Sequence, residues 1–343
     1  MNPFPLEIFR HRVAELASQG VYVGTSSWKY EGWLGLIYSP EKYMKYFKEG
    51  PPKILKGRFE KTCLAEYAQT FKTVCLDAGF YQFPSPTMLE GYLSQVPSDF
   101  RLSLKVTEDI TVLRFPNLPR YGSRAGQANP HFLDSDLFIA SFLGPLTPYR
   151  EQIGTIIFEF SHFHPGDWER GREFVEALDG FLGKLPKGWD YSIEIRNESL
   201  LHPRYFEVLK KHNVAHAFNS WSRMPSVVEQ VRIAGEETAD FATARFLLKP
   251  GRTYEQAVKS FEPYREIKEA NEEARSGIRK LLGKACFTRT RRRYIYVNNR
   301  LEGSAPWTIS AVLEAMAAER ASLADKTDAA SPKQPPGEVD APF

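Results

Sequence analysis

The residues most able to do chemistry sit in a short alternating run, Tyr191-Ser192-Ile193-Glu194-Ile195-Arg196-Asn197. Read as a β-strand, it puts Glu194 and Arg196 on one face, because residues two apart in a strand point the same way. Ile193 and Ile195 take the other face, which suits burial under helices. The same parity in the other strand-like segments collects Asp77 with Cys75, Lys105 with Ser103 and Thr107, and Glu159 with Ile157. It also collects Asn219, Arg245 and Asn298, most of them near the C-terminal end of their segment. The opposite parity is mostly apolar, as in Leu102, Leu104, Val106, Phe158 and Phe160.

A ring of inward charges supports acid–base chemistry on a polar substrate. Glu194 is expected as the general acid or base, with Asp77 or Glu159 as its carboxylate partner. Glu159 and Glu194 lie on adjacent strands and would approach a substrate from one side, so Asp77, farther around, is the better opposed partner for glycoside chemistry. Lys105, Arg196, Arg245 and Lys249 suit phosphate or carboxylate groups. Trp28, Tyr30, Trp33, Tyr81 and Trp221, near strand ends, suit stacking on sugar rings or bases, and Asn219 and Asn298 complete the expected substrate-binding set. A divalent metal on Asp77, Glu159 and Glu194, with His162 or His164 nearby, is an alternative to the expectation of no cofactor. The charges could also simply neutralise one another, Glu194 with Lys105 or Arg245 and Glu159 with Arg196, since buried charges need partners.

The elements that must position these residues alternate along the chain. Strands are predicted at 21–28, 73–81, 100–107, 154–160, 191–197, 214–219, 243–248 and 292–298. Helical stripes separate them, with Asp167 expected as an N-cap and Thr253 and Gln256 as a capping box. Eight strands alternating with helices predict α/β architecture, a single (β/α)₈ barrel of the TIM type, whose sites lie at the C-terminal mouth. The expected organisation is an N-terminal helical extension over 1–20, the barrel over 21–320, and a polar, Pro-rich disordered tail over 321–343.

With 343 residues, 42% hydrophobic and 25% charged, the chain has ordinary globular composition. A net charge of +3 is too mild to imply a nucleic-acid binder, and the basic run 289–293 reads as a solvated loop before the last strand. Three cysteines, Cys63, Cys75 and Cys286, lack CxxC spacing, so neither a disulfide framework nor a zinc site is expected and a reducing cytoplasm fits. No stretch reaches the roughly 20 apolar residues that span a membrane, and no P-loop, GxSxG, HExxH or GxGxxG motif occurs.

Several of these segments carry a further signal in their order. Gly24-Thr25-Ser26-Ser27-Trp28 with Tyr30 and Trp33, Val74 to Phe80-Tyr81, Phe100 to Lys105, Ile193-Glu194-Ile195-Arg196 and Tyr296-Val297-Asn298-Asn299 resemble the YecE-like family, domain of unknown function seventy-two. The resemblance runs from about residue 21 to 317 and implies a TIM-type barrel with no established activity. Carried over, it marks Lys105, Glu194, Arg196, Arg245 and Asn298 as recurrent polar positions. The chain departs from the family pattern at Cys75 and Asp77, where that pattern has a glutamate and an asparagine, at Val112, and at Glu159.

The combined expectation is a barrel enzyme of hydrolase type, acting on a polyhydroxylated or phosphorylated small molecule. Two other classes remain open: a nucleic-acid-binding or phosphodiester-processing barrel, and a non-catalytic small-molecule-binding barrel.

Overall fold

The computed structural model describes residues 3–77, 80–168, 171–283 and 290–330. Eight parallel strands close a barrel: β1 (Val21–Thr25), β2 (Thr73–Leu76), β3 (Arg101–Lys105), β4 (Ile153–Phe160), β5 (Asp190–Ile195), β6 (Ala215–Asn219), β7 (Phe241–Phe246) and β8 (Arg292–Val297). Each pairs with its sequence neighbour, and β8 closes on β1 with Val21 opposite Arg293 and Thr25 opposite Val297. At the β1–β2 seam Gly24 permits the approach, since a Cβ there would stand 2.2 Å from the Thr73 carbonyl oxygen.

The predicted facing holds. Leu102, Leu104, Ile156, Phe158, Ile193 and Ile195 are buried outside the barrel under the helices. Inside, the bottom of the barrel holds Asp190, paired with Arg292 and accepting from the Tyr294 hydroxyl, and the middle layers are neutral and mutually hydrogen-bonded. Thr155, Ser192 and Thr243 chain their hydroxyls at 2.6 and 2.7 Å, and Tyr296 reaches Ser103 at 2.5 Å and Thr73 at 3.0 Å. Satisfied hydroxyls fill the barrel without introducing charge. Charge returns one layer higher, at the mouth.

Three expectations change. Strand β2 ends at Leu76, where the Phe80 amide turns back to the Asp77 carbonyl, so Asp77 sits just beyond the strand. The carboxylate of Asp167, expected as an N-cap, accepts from the His164 amide across a tight turn, and the start of the helix described over Gly171–Lys184 lies outside the described residues. The final helix runs Ala305–Ala330, some ten residues into the stretch expected to be disordered, because Ala, Leu and Lys there are good helix formers. Residues 331–343 lie outside the described residues. Within the basic run, Arg293 is not solvated: its Nη1 donates to the carbonyls of Leu281, Leu282 and Gly283, capping the end of the helix Glu272–Leu282. Arg292 pairs with Asp190 at 3.0 Å, while Arg289 and Cys286 lie outside the described residues.

The capping box at Thr253 and Gln256 forms as expected and starts the helix Tyr254–Phe261. The N-terminal helix Leu6–Ser18 buries Phe9, Val13 and Leu16, with Phe9 edge-on to Phe71. Among the described residues no helix is long and apolar enough to cross a membrane.

The facing of β5 yields a direct test. Ile195→Asp places an unpaired carboxylate under the helices and is expected to cost several kcal/mol, read as a lower denaturant midpoint with an unchanged slope. A parental midpoint would contradict the assigned facing.

Candidate active site at the barrel mouth

The mouth is organised by Arg245, near the end of β7 and only 2% exposed. Its Nη1 donates to Glu194 at 2.7 Å and to Glu159 at 3.0 Å, and its Nη2 donates to Asp77 at 2.9 Å. Two further cations close the network. Arg196 reaches Glu159 at 2.8 Å and Glu194 at 3.1 Å, and Lys105 reaches Glu159 at 2.6 Å. Three cations therefore face three carboxylates, so every buried charge has an opposite partner. The Arg196 guanidinium lies 3.8 Å over the Trp221 ring and the Lys105 ammonium 4.1 Å over Phe80, contacts that fix both without using up their charge.

This pairing redistributes the expected roles. Glu194 is fully buried, with one oxygen on Arg245 and the other on Arg196, and it does not line the mouth. In this arrangement both its oxygens face cations and neither faces the cavity. Glu159 reaches the cavity wall, but its Oε2 takes three cations. Burial pushes its carboxyl upward, yet Arg196, Lys105 and Arg245 outweigh that and hold it well below the ordinary glutamate range. A carboxylate so stabilised is a poor proton carrier at neutral pH. Asp77 differs: its side chain is 40% exposed, and its ion pair with Arg245 uses one oxygen, leaving the other toward the cavity. Below it, burial pushes the Cys75 thiol up to about 12, so it stays protonated.

The aromatic expectations divide. Tyr30, Tyr81 and Trp221 line the cavity. Trp28 and Trp33 do not; both are buried, Trp28 edge-on to Tyr92 and Trp33 stacked toward Tyr38 and Tyr67. Their rings belong to the apolar layer behind the mouth, where Trp33 supports Tyr30 at 4.7 Å. Burial pushes the Tyr30 phenol up to about 12, against the opposing pull of Arg300, so it stays neutral. Asn219 is also buried. Its amide donates to the carbonyls of Ile195 and Ala217, and its oxygen accepts from the Trp221 amide, which fixes the start of the Trp221 loop. Asn298 does line the mouth and accepts from the Arg300 amide at 2.9 Å.

Sequence reading missed Arg300 and Tyr254. Arg300 follows β8 and lies 4.2 Å over Tyr254, to whose hydroxyl it donates at 2.9 Å. Tyr254 opens the helix set by the Thr253 capping box, the one local signal that pointed there. Together these residues enclose a cavity of about 470 Å³, ample for a small polar ligand. Among the described residues no three His, Cys, Asp or Glu side chains converge as a metal-binding group; His162 and His164 stack on each other, and the three carboxylates face cations.

The family described as "Protein of unknown function DUF72" matches residues 22–335. The chain belongs to the DUF72 family. A DUF72 family protein from Thermotoga maritima MSB8 superposes with a TM-score of 0.56 at 20% identity, covering 86% of this chain and 98% of that one. Two crystal structures of a DUF72 family protein from Enterococcus faecalis V583 give TM-scores of 0.56 and 0.55 at 15% and 16% identity. They cover 87% and 86% of this chain, and 98% and 95% of the other. Identities this low establish a shared fold and nothing about chemistry. No curated protein matches.

Removing Arg245 tests the network. Arg245→Met leaves Asp77, Glu159 and Glu194 short of a counter-ion and is expected to cost about 3–5 kcal/mol at pH 7. Because the folded-state pKa of Glu159 is depressed, its contribution is full above the ordinary value of 4.5 and is lost as pH falls through the folded value. The gap between parent and variant in urea unfolding should therefore narrow below about pH 4.5; a gap that widens would contradict the pairing.

Proposed function

We propose that the mouth binds a small polyhydroxylated molecule carrying a phosphate group and hydrolyses the phosphate ester, with Asp77 as general base. The observation that carries this reading is the asymmetry among the three acids: Glu159 and Glu194 are consumed by cations, while Asp77 presents a half-exposed carboxylate to the cavity. Glycoside hydrolysis needs two carboxyls across the scissile bond, one with a raised pKa to protonate the leaving group. The mouth offers no second such acid among the described residues. Asp190, which burial raises to about 6, sits at the start of β5, at the opposite end of the strand from Glu194.

Phosphoryl transfer asks less of proton donors and more of positioned positive charge. Arg196 and Arg300 line the cavity, each steadied by an aromatic ring. In the proposed step Asp77 takes a proton from water as its oxygen bonds to phosphorus. The phosphorus–oxygen bond to the sugar breaks, and the leaving oxygen is protonated by solvent through the open mouth. Arg300, which meets no carboxylate among the described residues, offsets charge on the phosphoryl oxygens beside the paired Arg196, and Tyr30 and Tyr81 flank the polyol.

A panel of sugar monophosphates, polyol phosphates and phosphodiesters tests this by release of inorganic phosphate or alcohol. Turnover is expected on at least one of them, and Asp77→Asn should lower kcat by about 10²–10⁴ while the denaturation midpoint stays near the parent's. Tight binding with every compound recovered unchanged would instead support a non-catalytic binding barrel. Turnover that survives Asp77→Asn would remove the assigned base.

A further inference from the structure

The mouth does not end at Trp221. Beyond it lies a second bay of about 630 Å³, larger than the mouth itself, and the two share Arg196, Trp221 and Tyr254 as a common wall. A substrate confined to one phosphorylated ring would leave this bay empty.

Its lining is cationic. Arg223 projects from a tight turn closed by the Met224 amide on the Trp221 carbonyl. It is exposed and has no ion pair or hydrogen bond among the described residues. Arg252 is held from behind by Glu269 and by the Phe261 ring at 4.7 Å, while its Nη1 has no partner. The imidazoles of His162 and His164 complete that side, and among the described residues Glu255 is the one carboxylate on the lining. Arg196 is held by Glu159 and Glu194 and Arg252 is paired with Glu269, so among the described residues the unpaired cation of the bay is Arg223, and Arg252 adds an Nη1 without a partner.

We propose that this bay is a second anion subsite, so that the ligand is an elongated molecule with two anionic groups, of the chemical class of a sugar bisphosphate. One phosphate occupies the mouth beside Asp77, and the other lies across Trp221 against Arg223 and Arg252. Trp221, clamped under Arg196 and positioned by Asn219, is the divider between them. The inference rests on the reading of the mouth as a phosphate site, but it assigns a different set of residues.

Isothermal titration of the full chain with a hexose monophosphate and a hexose bisphosphate separates the two ideas. The bisphosphate is expected to bind about tenfold tighter or more, the yield of one charge-assisted contact. Arg223→Glu should erase that preference while leaving monophosphate affinity within about twofold, since solvent screens an exposed charge at a distance. Arg223 is exposed and unpartnered, so the variant is expected to unfold at the parental midpoint. Monophosphate binding without a preference for bisphosphate, or a preference that survives Arg223→Glu, would overturn the second subsite and leave the mouth intact. No binding of either compound would remove both.

Discussion

Three carboxylates held by one buried guanidinium set the conditions for everything else in the molecule. Arg245 contacts Glu194, Glu159 and Asp77 from the end of β7, on the inner face of the barrel. Removing so many charges from water costs several kcal/mol each, and the cost is offset only by near-complete pairing. The neutral hydroxyl layers beneath supply a rigid floor, and the aromatic layer around Trp28 and Trp33 supplies a rigid wall. A site built on fixed strand ends suits electrostatic work, because its charges need not reorganise when a ligand arrives.

The departures from the family pattern acquire a physical meaning in this network. The resemblance implies a glutamate where Cys75 stands and an asparagine where Asp77 stands. Cys75 is the inward residue of β2 and Asp77 follows just past the strand end, so the chain keeps a negative charge on that side of the barrel but moves it one step toward the mouth. A carboxylate at 75 would lie deeper; at 77 it is half exposed and keeps Arg245 as its partner. Glu159 adds a second negative charge on β4, matched by Lys105 and Arg196. Changes at these sites are therefore coupled through Arg245, and a substitution at one alters the demand for charge at the others.

The architecture was legible because it rests on periodicity. Eight alternating segments, a period-two face of charge and a period-two face of Ile, Leu and Phe leave few folds available, and Glu194 and Arg245 do point inward. Accessibility was less legible, since parity fixes which way a side chain points and says nothing of how deep it lies or what meets it. Glu194 looked like the most promising acid, yet it is the most enclosed of the three. The competing reading pairs Glu194 with Lys105 or Arg245 and Glu159 with Arg196; the contacts match the Arg245 and Arg196 pairs, while Lys105 goes to Glu159 instead. Trp28 and Trp33 misled for a related reason: aromatic residues after a strand can serve the mouth or the layer behind it, and only packing separates the two. Arg300 and Tyr254 come from loops, where no periodicity marks a facing.

The account turns on Glu159 remaining ionised while Asp77 carries the proton traffic. Carbon-detected NMR titration of the glutamate carboxyls, with Glu159→Gln used for assignment, reads this state without a substrate. The Glu159 resonance should show no protonation from pH 7 down past the ordinary glutamate value of 4.5. A transition at or above that value would mean that Arg245, Arg196 and Lys105 do not hold the carboxylate, and would return Glu159 to candidacy as the acid of the site.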